Sequence, residues 1–305
     1  MSGPTGVKLR PIRPADGHAL YGVFRRSLET LVRSYGEAWA YDATDDAQTW
    51  PRWESLYVHL QAACDHAWLA ERDGAVVGYA RSLRRGDTRE LTEFFVLPEA
   101  AGGGVGKRLL EAAFPAQPGV ARLIVATGDP SALSRYVRHG FTGHTPLAEL
   151  RGRPSRDLLP TDLETLPLDV DDPAQLDAIG AVDEAVLGAR RDDDQRWYAG
   201  ARTGLRFLRA GRTVGYGWAG EWSGPVAALD PADLAAMIAA LESVAAAMNL
   251  DAVTWNVPLL AQPAATFLLD RGYRLDRLPV LLMSDGPTLP GAFDRYVVTT
   301  PPFFA

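Results

Sequence analysis

Two stretches of the sequence occur twice in the same order, and this internal repeat constrains the fold more than any other feature. The segment Arg72–Ala80 (RDGAVVGYA) returns as Arg209–Gly217 (RAGRTVGYG), at an offset of 137 residues. The segment Tyr136–Phe141 (YVRHGF) returns as Leu268–Tyr273 (LLDRGY), at an offset of 132 residues. An ordered repeat at nearly constant spacing indicates two copies of one structural unit.

The length of the chain supports the same division. At about 150 residues per domain, a chain of 305 residues is expected to form two domains. Gly152 and Pro154 lie midway along the chain and interrupt regular structure there. We therefore expect one domain over residues 1–153 and a second over residues 154–305.

The pattern of apolar residues predicts the same order of elements in both halves. In the first half it predicts a strand, two helices, a hairpin with a tight Asp73-Gly74 turn, and a further strand. A helix, a strand, a helix and a last strand then follow. The expected fold class is α/β (α+β), with a mixed, mostly antiparallel sheet flanked by helices in each copy.

The charge of the chain argues against nucleic-acid binding and differs between the halves. There are 31 Lys and Arg against 38 Asp and Glu, so the formal net charge is -7, whereas nucleic-acid binders present a basic surface. Residues 1–155 hold 19 basic and 17 acidic side chains (+2), and residues 156–305 hold 12 and 21 (-9). If one half binds an anionic ligand, it should therefore be the first.

Cysteine and histidine usage argues against a metal site and a disulfide. Cys64 is the single cysteine, which excludes an intrachain disulfide and a CxxC site, and the five histidines lack ligand spacing. No apolar leader and no run of about 18 apolar residues occurs, so the prediction is a cytoplasmic protein without a membrane partner. Its oligomeric state stays open, and a monomer is compatible with two copies that pack as a pseudo-dimer.

The most informative segment is a glycine-rich turn between a strand and a helix. A predicted strand ends before Pro98, and a predicted helix begins shortly after it. Four glycines lie where the helix begins: Gly102, Gly103, Gly104 and Gly106. Glycine lets a phosphate approach the backbone closely, and the first amides of a helix lack internal partners. The segment is neither GxxxxGK[ST] nor GxGxxG, so the nucleoside-triphosphate and dinucleotide interpretations lack support.

Together with its neighbours, this turn resembles the GNAT superfamily of N-acetyltransferases over residues 7–150. The shared features are Val96-x-Pro98, the glycines, Leu109-Leu110 and Tyr136-x-x-x-Gly140-Phe141. The family pattern Q/RxxGxG/A matches Gly104 and Gly106, while Ala101 replaces the leading Gln or Arg. The resemblance implies acetyl-CoA as co-substrate, its pyrophosphate held by main-chain amides of the loop. The implied cofactor-binding residues are Phe94, Phe95, Val96, Ala101, Gly102, Gly103, Gly104, Val105, Gly106, Lys107 and Arg108.

The resemblance also implies a reaction, the direct attack of a primary amine of a small molecule or peptide on the thioester. Tyr136 occupies the position of the general acid that protonates the departing thiolate. The attacking ammonium must first lose a proton. For the base, Glu90 falls where some members of the family carry a catalytic glutamate, and Glu93 is the alternative residue. A chain of water molecules could serve as the base instead, in which case either glutamate is a solvated strand residue. The alternative to an enzyme is a non-catalytic acyl-CoA-binding or regulatory module.

The second copy has lost these features. Pro98 corresponds to Pro231, but Ala232–Met237 replaces the glycine-rich turn. The two glutamates correspond to Ser223 and Val226, and Tyr136 corresponds to Leu268. We expect a degenerate GNAT-like second domain.

A further aromatic and acidic group lies where the resemblance implies acceptor-side helices. It favours either a pocket for a cationic amine or an ordinary helix interface beside a solvated acidic loop. Its members are Tyr35, Trp39, Tyr41, Trp50 and Trp53 with Asp42, Asp45 and Asp46.

Overall fold

The computed structural model describes residues 6–34, 46–275 and 280–299. Contacts divide the chain into two compact units. The first comprises Met1–Arg84 and Arg89–Arg122, and the second comprises Arg85–Thr88 and Leu123–Ala305. None of the helices in the described ranges is long and apolar enough to span a membrane.

The first unit is a sheet covered by helices on both faces. Its strand order is β1-β2-β3-β4. Phe94 and Val96 pack with the helix that follows the glycine-rich turn, whereas Phe95 contacts Phe24 of the first helix. Successive residues of a strand point to opposite faces, so helices cover both sides. The elements are β1 (Lys8–Pro11), α1 (Gly17–Ser34), α2 (Asp46–Ala63), β2 (His66–Arg72), β3 (Ala75–Arg85), β4 (Thr88–Val96) and α3 (Val105–Ala113).

The second unit contains two groups of paired strands. One has the order β5-β13-β6-β11 with β12 also on β6, and the other has the order β14-β10-β9-β8-β7. The elements up to α6 are β5 (Ala121–Thr127), α4 (Pro130–Arg138), β6 (Thr142–Gly152), β7 (Glu164–Pro167), α5 (Pro173–Leu187) and α6 (Asp192–Ala199). The strands and helices that follow are β8 (Thr203–Arg209), β9 (Arg212–Ala219), β10 (Val226–Ala228), α7 (Leu234–Ala247), β11 (Val253–Pro258), α8 (Gln262–Asp270), β12 (Arg274–Leu275), β13 (Val280–Ser284) and β14 (Tyr296–Val297).

The order of elements repeats along the chain. Each half runs strand, two helices, three strands, a short 3-10 turn, helix, strand, helix and strand. The first half has one more 3-10 turn before α1, and the second half continues with the additional strands β13 and β14. The pairs β1–β2, β5–β13 and β8–β9 are antiparallel, and an isolated bridge between Trp222 and Thr254 is parallel. The predicted fold class, a mixed and mostly antiparallel sheet flanked by helices, is therefore confirmed. The predicted boundary at residues 153 and 154 separates the two sequence copies, whereas the division given above separates units by their internal contacts. The boundary between the copies stays a prediction.

Both repeated sequence motifs have a local structural reason. The predicted hairpin turn has positive φ at Asp73 and Gly74, and its counterpart has positive φ at Ala210 and Gly211, as two-residue hairpin turns of type I′ require. At the other motif, the amide of Phe141 donates to the Tyr136 carbonyl, which closes a helix through a left-handed glycine. The amide of Tyr273 bonds the Leu268 carbonyl in the same way.

The glycine of the repeated Val-Gly-Tyr sequence allows a close approach in both halves. A Cβ on Gly78 would lie 2.9 Å from the Phe95 carbonyl oxygen and 3.3 Å from a Leu109 methyl group. A Cβ on Gly215 would lie 2.6 Å from the Ala227 carbonyl oxygen and 2.4 Å from the Met237 methyl group. In each half the glycine thus makes room for the next strand and for the helix after it.

Gly215→Ala is expected to lower the free energy of unfolding by about 1–3 kcal/mol, because a backbone carbonyl must move to admit the methyl group. Gly220→Ala is the matched control, since its Cβ would meet nothing closer than 3.4 Å. Thermal and urea unfolding would measure both variants. Equal stability of the two variants would contradict this account.

Candidate functional site

The glycine-rich turn forms an open cradle at the start of α3. Gly102 and Gly104 have φ of 91° and 77°, and a Cβ on either would meet nothing within 4 Å. Gly104 precedes the helix and has no side chain that could cap it. The Arg108 amide donates to the Gly104 carbonyl at 3.1 Å, so the three amides before it point out of the helix end. Such an end, with its partial positive charge, suits a phosphate group.

The two charged side chains next to the turn, those of Lys107 and Arg108, have partners outside this cradle. The Lys107 side chain is 68% exposed, and its Nζ lies 3.8 Å from Glu111 Oε1. Arg108 Nη1 donates to the Val7 carbonyl at 3.2 Å. The Ala101 amide donates to the Pro98 carbonyl at 3.1 Å and brings no charge. The cradle is therefore a main-chain feature.

The end of β4 lies next to this turn. Phe94, Phe95 and Val96 are half-buried. The Leu97 amide still donates to the Val77 carbonyl at 2.9 Å, so β4 stays attached to β3 up to the turn. The Phe95 ring centroid lies 5.7 Å from that of Tyr79, on the face that α1 covers.

The two candidate glutamates are both buried, which argues against solvated strand positions. Glu90 is 2% exposed and Glu93 is 6% exposed. Glu93 Oε1 accepts a hydrogen bond from the Tyr79 hydroxyl at 2.9 Å, and the Tyr57 hydroxyl lies 3.2 Å from that of Tyr79. Burial raises the pKa of the Glu93 carboxyl above its usual range, although the Arg81 charge and hydrogen bonds from the tyrosines oppose that rise.

An aromatic cluster covers the Glu93 side of the sheet. Trp53, which the sequence singled out, lies 5.2 Å from Phe24 and 5.8 Å from Tyr21 between ring centroids. Trp50 lies 5.7 Å from Tyr21 and 5.4 Å from Tyr57. Sequence reasoning missed three members, Tyr21, Phe24 and Tyr57. The spacing of Trp50, Trp53 and Tyr57 along α2 is the signal that could have found Tyr57.

The remaining members of the predicted aromatic and acidic group cannot be placed. Tyr35, Trp39, Tyr41, Asp42 and Asp45 lie outside the described residues, and of Asp46 only the backbone is described, at the start of α2.

Tyr136 lies in the last turn of α4, in the second compact unit. Its side chain is 5% exposed, and its ring lies 6.3 Å from that of Phe141. Burial raises the pKa of its hydroxyl well above the usual value, so the group stays protonated at neutral pH. Asp129 starts the helix by accepting hydrogen bonds from the amides of Ser131 and Ala132.

The corresponding turn of the second half is closed by its own carboxylates. The Asp230 side chain accepts a hydrogen bond from the Ala232 amide at 2.9 Å. Asp233, which directly precedes α7, accepts from the Arg209 guanidinium at 2.8 and 3.0 Å. Negative side chains thus lie at this helix end, where the first half has glycines.

A late segment of the chain also packs beside β10. In β14, Val297 pairs with Val226 and Tyr296 pairs with Ala227. The Val298 amide then donates to the Asn256 carbonyl of β11 at 2.9 Å. The β14 segment therefore occupies the hydrogen-bonding edge of β10 that faces β11.

Several polar side chains near β14 form hydrogen bonds with one another. The Tyr296 hydroxyl accepts from Arg191 at 2.6 Å. Arg191 also donates to Asp183 at 2.9 Å and to the Tyr216 hydroxyl at 2.6 Å. All four side chains are buried and form one hydrogen-bonded network, in which Arg191 Nε has no hydrogen-bond partner among the described residues.

Metal binding finds no support in the described residues, which contain no group of three or more His, Cys, Asp or Glu side chains arranged to hold an ion.

Sequence comparison finds a family and a relative that each match part of the chain. Residues 63–143 match the family described as acetyltransferase (GNAT) domain. The mycothiol acetyltransferase of Streptomyces griseus subsp. griseus is 31% identical over 149 residues, which are 46% of this chain and 45% of that protein. The chain thus matches about half the length of this relative.

Structural comparison finds proteins that resemble nearly the whole chain. A Pyrococcus horikoshii protein described provisionally as an acetyltransferase superposes with a TM-score of 0.69 at 15% identity, over 96% of this chain and 93% of its own. A tandem GNAT protein from the clavulanic acid biosynthesis pathway superposes with a TM-score of 0.55 at 11% identity, over 93% of this chain and 100% of its own. At such identities the likeness concerns the fold alone. Residues 63–143 therefore match a GNAT acetyltransferase domain, and the chain has the fold of GNAT proteins.

Proposed function

We propose that this protein is an acetyl-CoA-dependent N-acetyltransferase that moves an acetyl group to a primary amine of a small molecule or peptide. The observation that carries the proposal is the open main-chain cradle at Gly102–Gly106, within the segment that matches the acetyltransferase domain. Its amides would hold the pyrophosphate of coenzyme A. The main chain of Phe94, Phe95 and Val96 would bind the pantetheine arm and polarise the acetyl carbonyl.

The reaction requires that the acceptor nitrogen lose two protons and that the departing sulfur gain one. The acceptor ammonium gives one proton to a base, for which Glu93 and Glu90 are the candidates, and the neutral amine attacks the thioester carbonyl carbon. The C–N bond forms, the C–S bond breaks, and the nitrogen loses its second proton. Tyr136 would protonate the departing thiolate. Burial keeps its hydroxyl protonated, although the raised pKa also makes it a weaker acid. The balance is one amide, one thiol and one proton released to water.

We further propose that only the first half acts. The carboxylates of Asp230 and Asp233 would repel a pyrophosphate from the start of α7. The β14 segment takes up the main-chain hydrogen-bonding positions of β10 that correspond to those of β4. The second half then contributes structure rather than a second cofactor site.

Gly104→Glu is expected to weaken coenzyme A binding at least tenfold, because a carboxylate would enter the cradle. Gly119→Glu is the matched control, since Gly119 has φ of 75° and the same open surroundings in the same compact unit. Both variants carry the same backbone strain and the same charge, so only their positions differ. Titration calorimetry would measure affinity and stoichiometry.

We expect one coenzyme A per chain in the wild type and in Gly119→Glu. Two molecules per chain would overturn the assignment of an inactive second half, and tight binding by Gly104→Glu would overturn the cradle.

Tyr136→Phe is expected to lower kcat by about 10²-fold while coenzyme A affinity stays unchanged, because the ring is kept and only the acid is lost. Thiol release with a panel of amino acids, polyamines, aminoglycosides and simple primary amines would measure it. Unchanged turnover would remove Tyr136 from the reaction. A wild type that binds coenzyme A and acetylates no amine would indicate a binding module instead of an enzyme.

A further inference from the structure

An arginine occupies the same place in a hairpin of each half. Arg72 is the last residue of β2, and Arg209 is the last residue of β8. In both strands the pairing register shifts between the second and the first residue before the arginine. A two-residue turn with positive φ then follows in both hairpins. The two arginines are therefore equivalent in structure as well as in sequence.

In the second half this arginine binds a carboxylate at the start of a helix. Arg209 donates to the two carboxylate oxygens of Asp233 at 2.8 and 3.0 Å, and Asp233 directly precedes α7. Paired hydrogen bonds between a guanidinium and an anion are among the strongest in proteins. Asp162 accepts two further hydrogen bonds from the same guanidinium, each 2.7 Å long. Arg209 thus reaches from the end of its strand to the turn that precedes the helix.

In the first half the equivalent arginine reaches the corresponding turn, where no carboxylate stands in the position of Asp233. Counted from the proline that starts each turn, Ala100 corresponds to Asp233. Arg72 Nη1 donates to the Glu99 carbonyl at 3.3 Å, which is the one hydrogen bond that its guanidinium makes to a described residue. Since an arginine has five N–H donors, most of those of Arg72 are left for a further acceptor.

The carboxylate of Glu99 is bound by a different arginine. Arg26 of α1 donates to Glu99 Oε1 at 2.5 Å, and both side chains are more than half exposed. The pKa of the Glu99 carboxyl lies below its usual value, first because its own amide donates to it and then because of Arg26 and the charge of Arg72. Two guanidinium groups thus act on one carboxylate, which leaves a net positive charge beside the turn.

The end of β2 lies next to the glycine-rich turn. Ala70 of β2 packs in one buried cluster with Ala100 and with Val105, the first residue of α3. Two residues separate Glu99, whose carbonyl Arg72 bonds, from the first glycine of the turn. Arg72 therefore lies beside the cradle but belongs to an element outside it.

The residues of the turn leave a phosphate without a full countercharge. Ala101 stands where the family pattern has Gln or Arg. The ammonium of Lys107 lies 3.8 Å from a Glu111 oxygen, and Arg108 bonds the Val7 carbonyl. A charged hydrogen bond to a phosphate in the cradle then has to come from another element.

We propose that Arg72 supplies this charge from β2 and binds the pyrophosphate of coenzyme A at the cradle, as Arg209 binds the Asp233 carboxylate in the second half. The second half carries its anion as a side chain, and the first half takes the anion from its ligand. This inference rests on the proposed acetyltransferase function, since that function makes coenzyme A the ligand.

Titration calorimetry of the full chain with coenzyme A and with 3′-dephospho-coenzyme A tests the assignment without any acceptor. Arg72→Gln is expected to weaken the binding of both ligands by about tenfold or more, because charged hydrogen bonds to phosphate are lost. Arg72→Lys should lose less, because it keeps the charge but not the paired donors. Arg72 is half-buried and makes one hydrogen bond to a described residue, so both variants should unfold at the wild-type temperature.

Arg84→Gln is the matched control, because it removes the same charge from an exposed arginine of the same unit near the far end of β3. It should leave both affinities unchanged. Wild-type affinity in Arg72→Gln overturns the proposal, and so does an equal loss in Arg84→Gln, which would be an effect of net charge alone.

The two ligands separate the phosphates of coenzyme A. A loss seen with coenzyme A and absent with 3′-dephospho-coenzyme A would place Arg72 at the 3′-phosphate and overturn its role at the pyrophosphate. A wild type that binds neither ligand overturns the proposed function instead of the role of Arg72 within it.

Discussion

The antiparallel pairing of β6 is the interaction on which the second compact unit depends. One part of β6 pairs with β13, from Thr142 with Ser284 to Leu147 with Val280. Its later part pairs with β11, from Leu147 with Pro258 to Gly152 with Val253. A single strand of the first half thereby organises two strands that lie more than 100 residues further along the chain.

This pairing also explains the composition of β6 and its neighbours. A Cβ on Gly152 would lie 2.6 Å from the Tyr273 ring, so the glycine lets that aromatic ring lie flat on the strand. His144 Nε2 and Ser284 Oγ are 2.8 Å apart at the other end. The strands that pair with β6 come from late in the sequence. The main segment of the second compact unit can therefore begin at Leu123, although the boundary between the two sequence copies is predicted at residues 153 and 154.

The two halves use one set of elements for different purposes. In the first half, the turn before α3 has exposed main-chain amides and no side chain in front of them. In the second half, aspartates lie at the corresponding turn, and the polar groups beside β10 bond one another. A site for an anion needs unsatisfied donors, so this difference supports our proposal that one copy holds the site and the other serves as a scaffold.

The sequence by itself determined the features that depend on local chemistry. These are the hairpin at Asp73-Gly74, the helix end at Gly140, the glycine-rich turn and the order of elements, because each rests on backbone preferences within a few residues. It also named Glu90 and Glu93 as candidates for the base, beside a water chain. Only the tertiary structure decided which tyrosines and which arginine surround Glu93, and that β13 and β14 lie beside β6 and β10. Those contacts join strands and helices that are distant in sequence, and apolar periodicity specifies a buried face without specifying its partner.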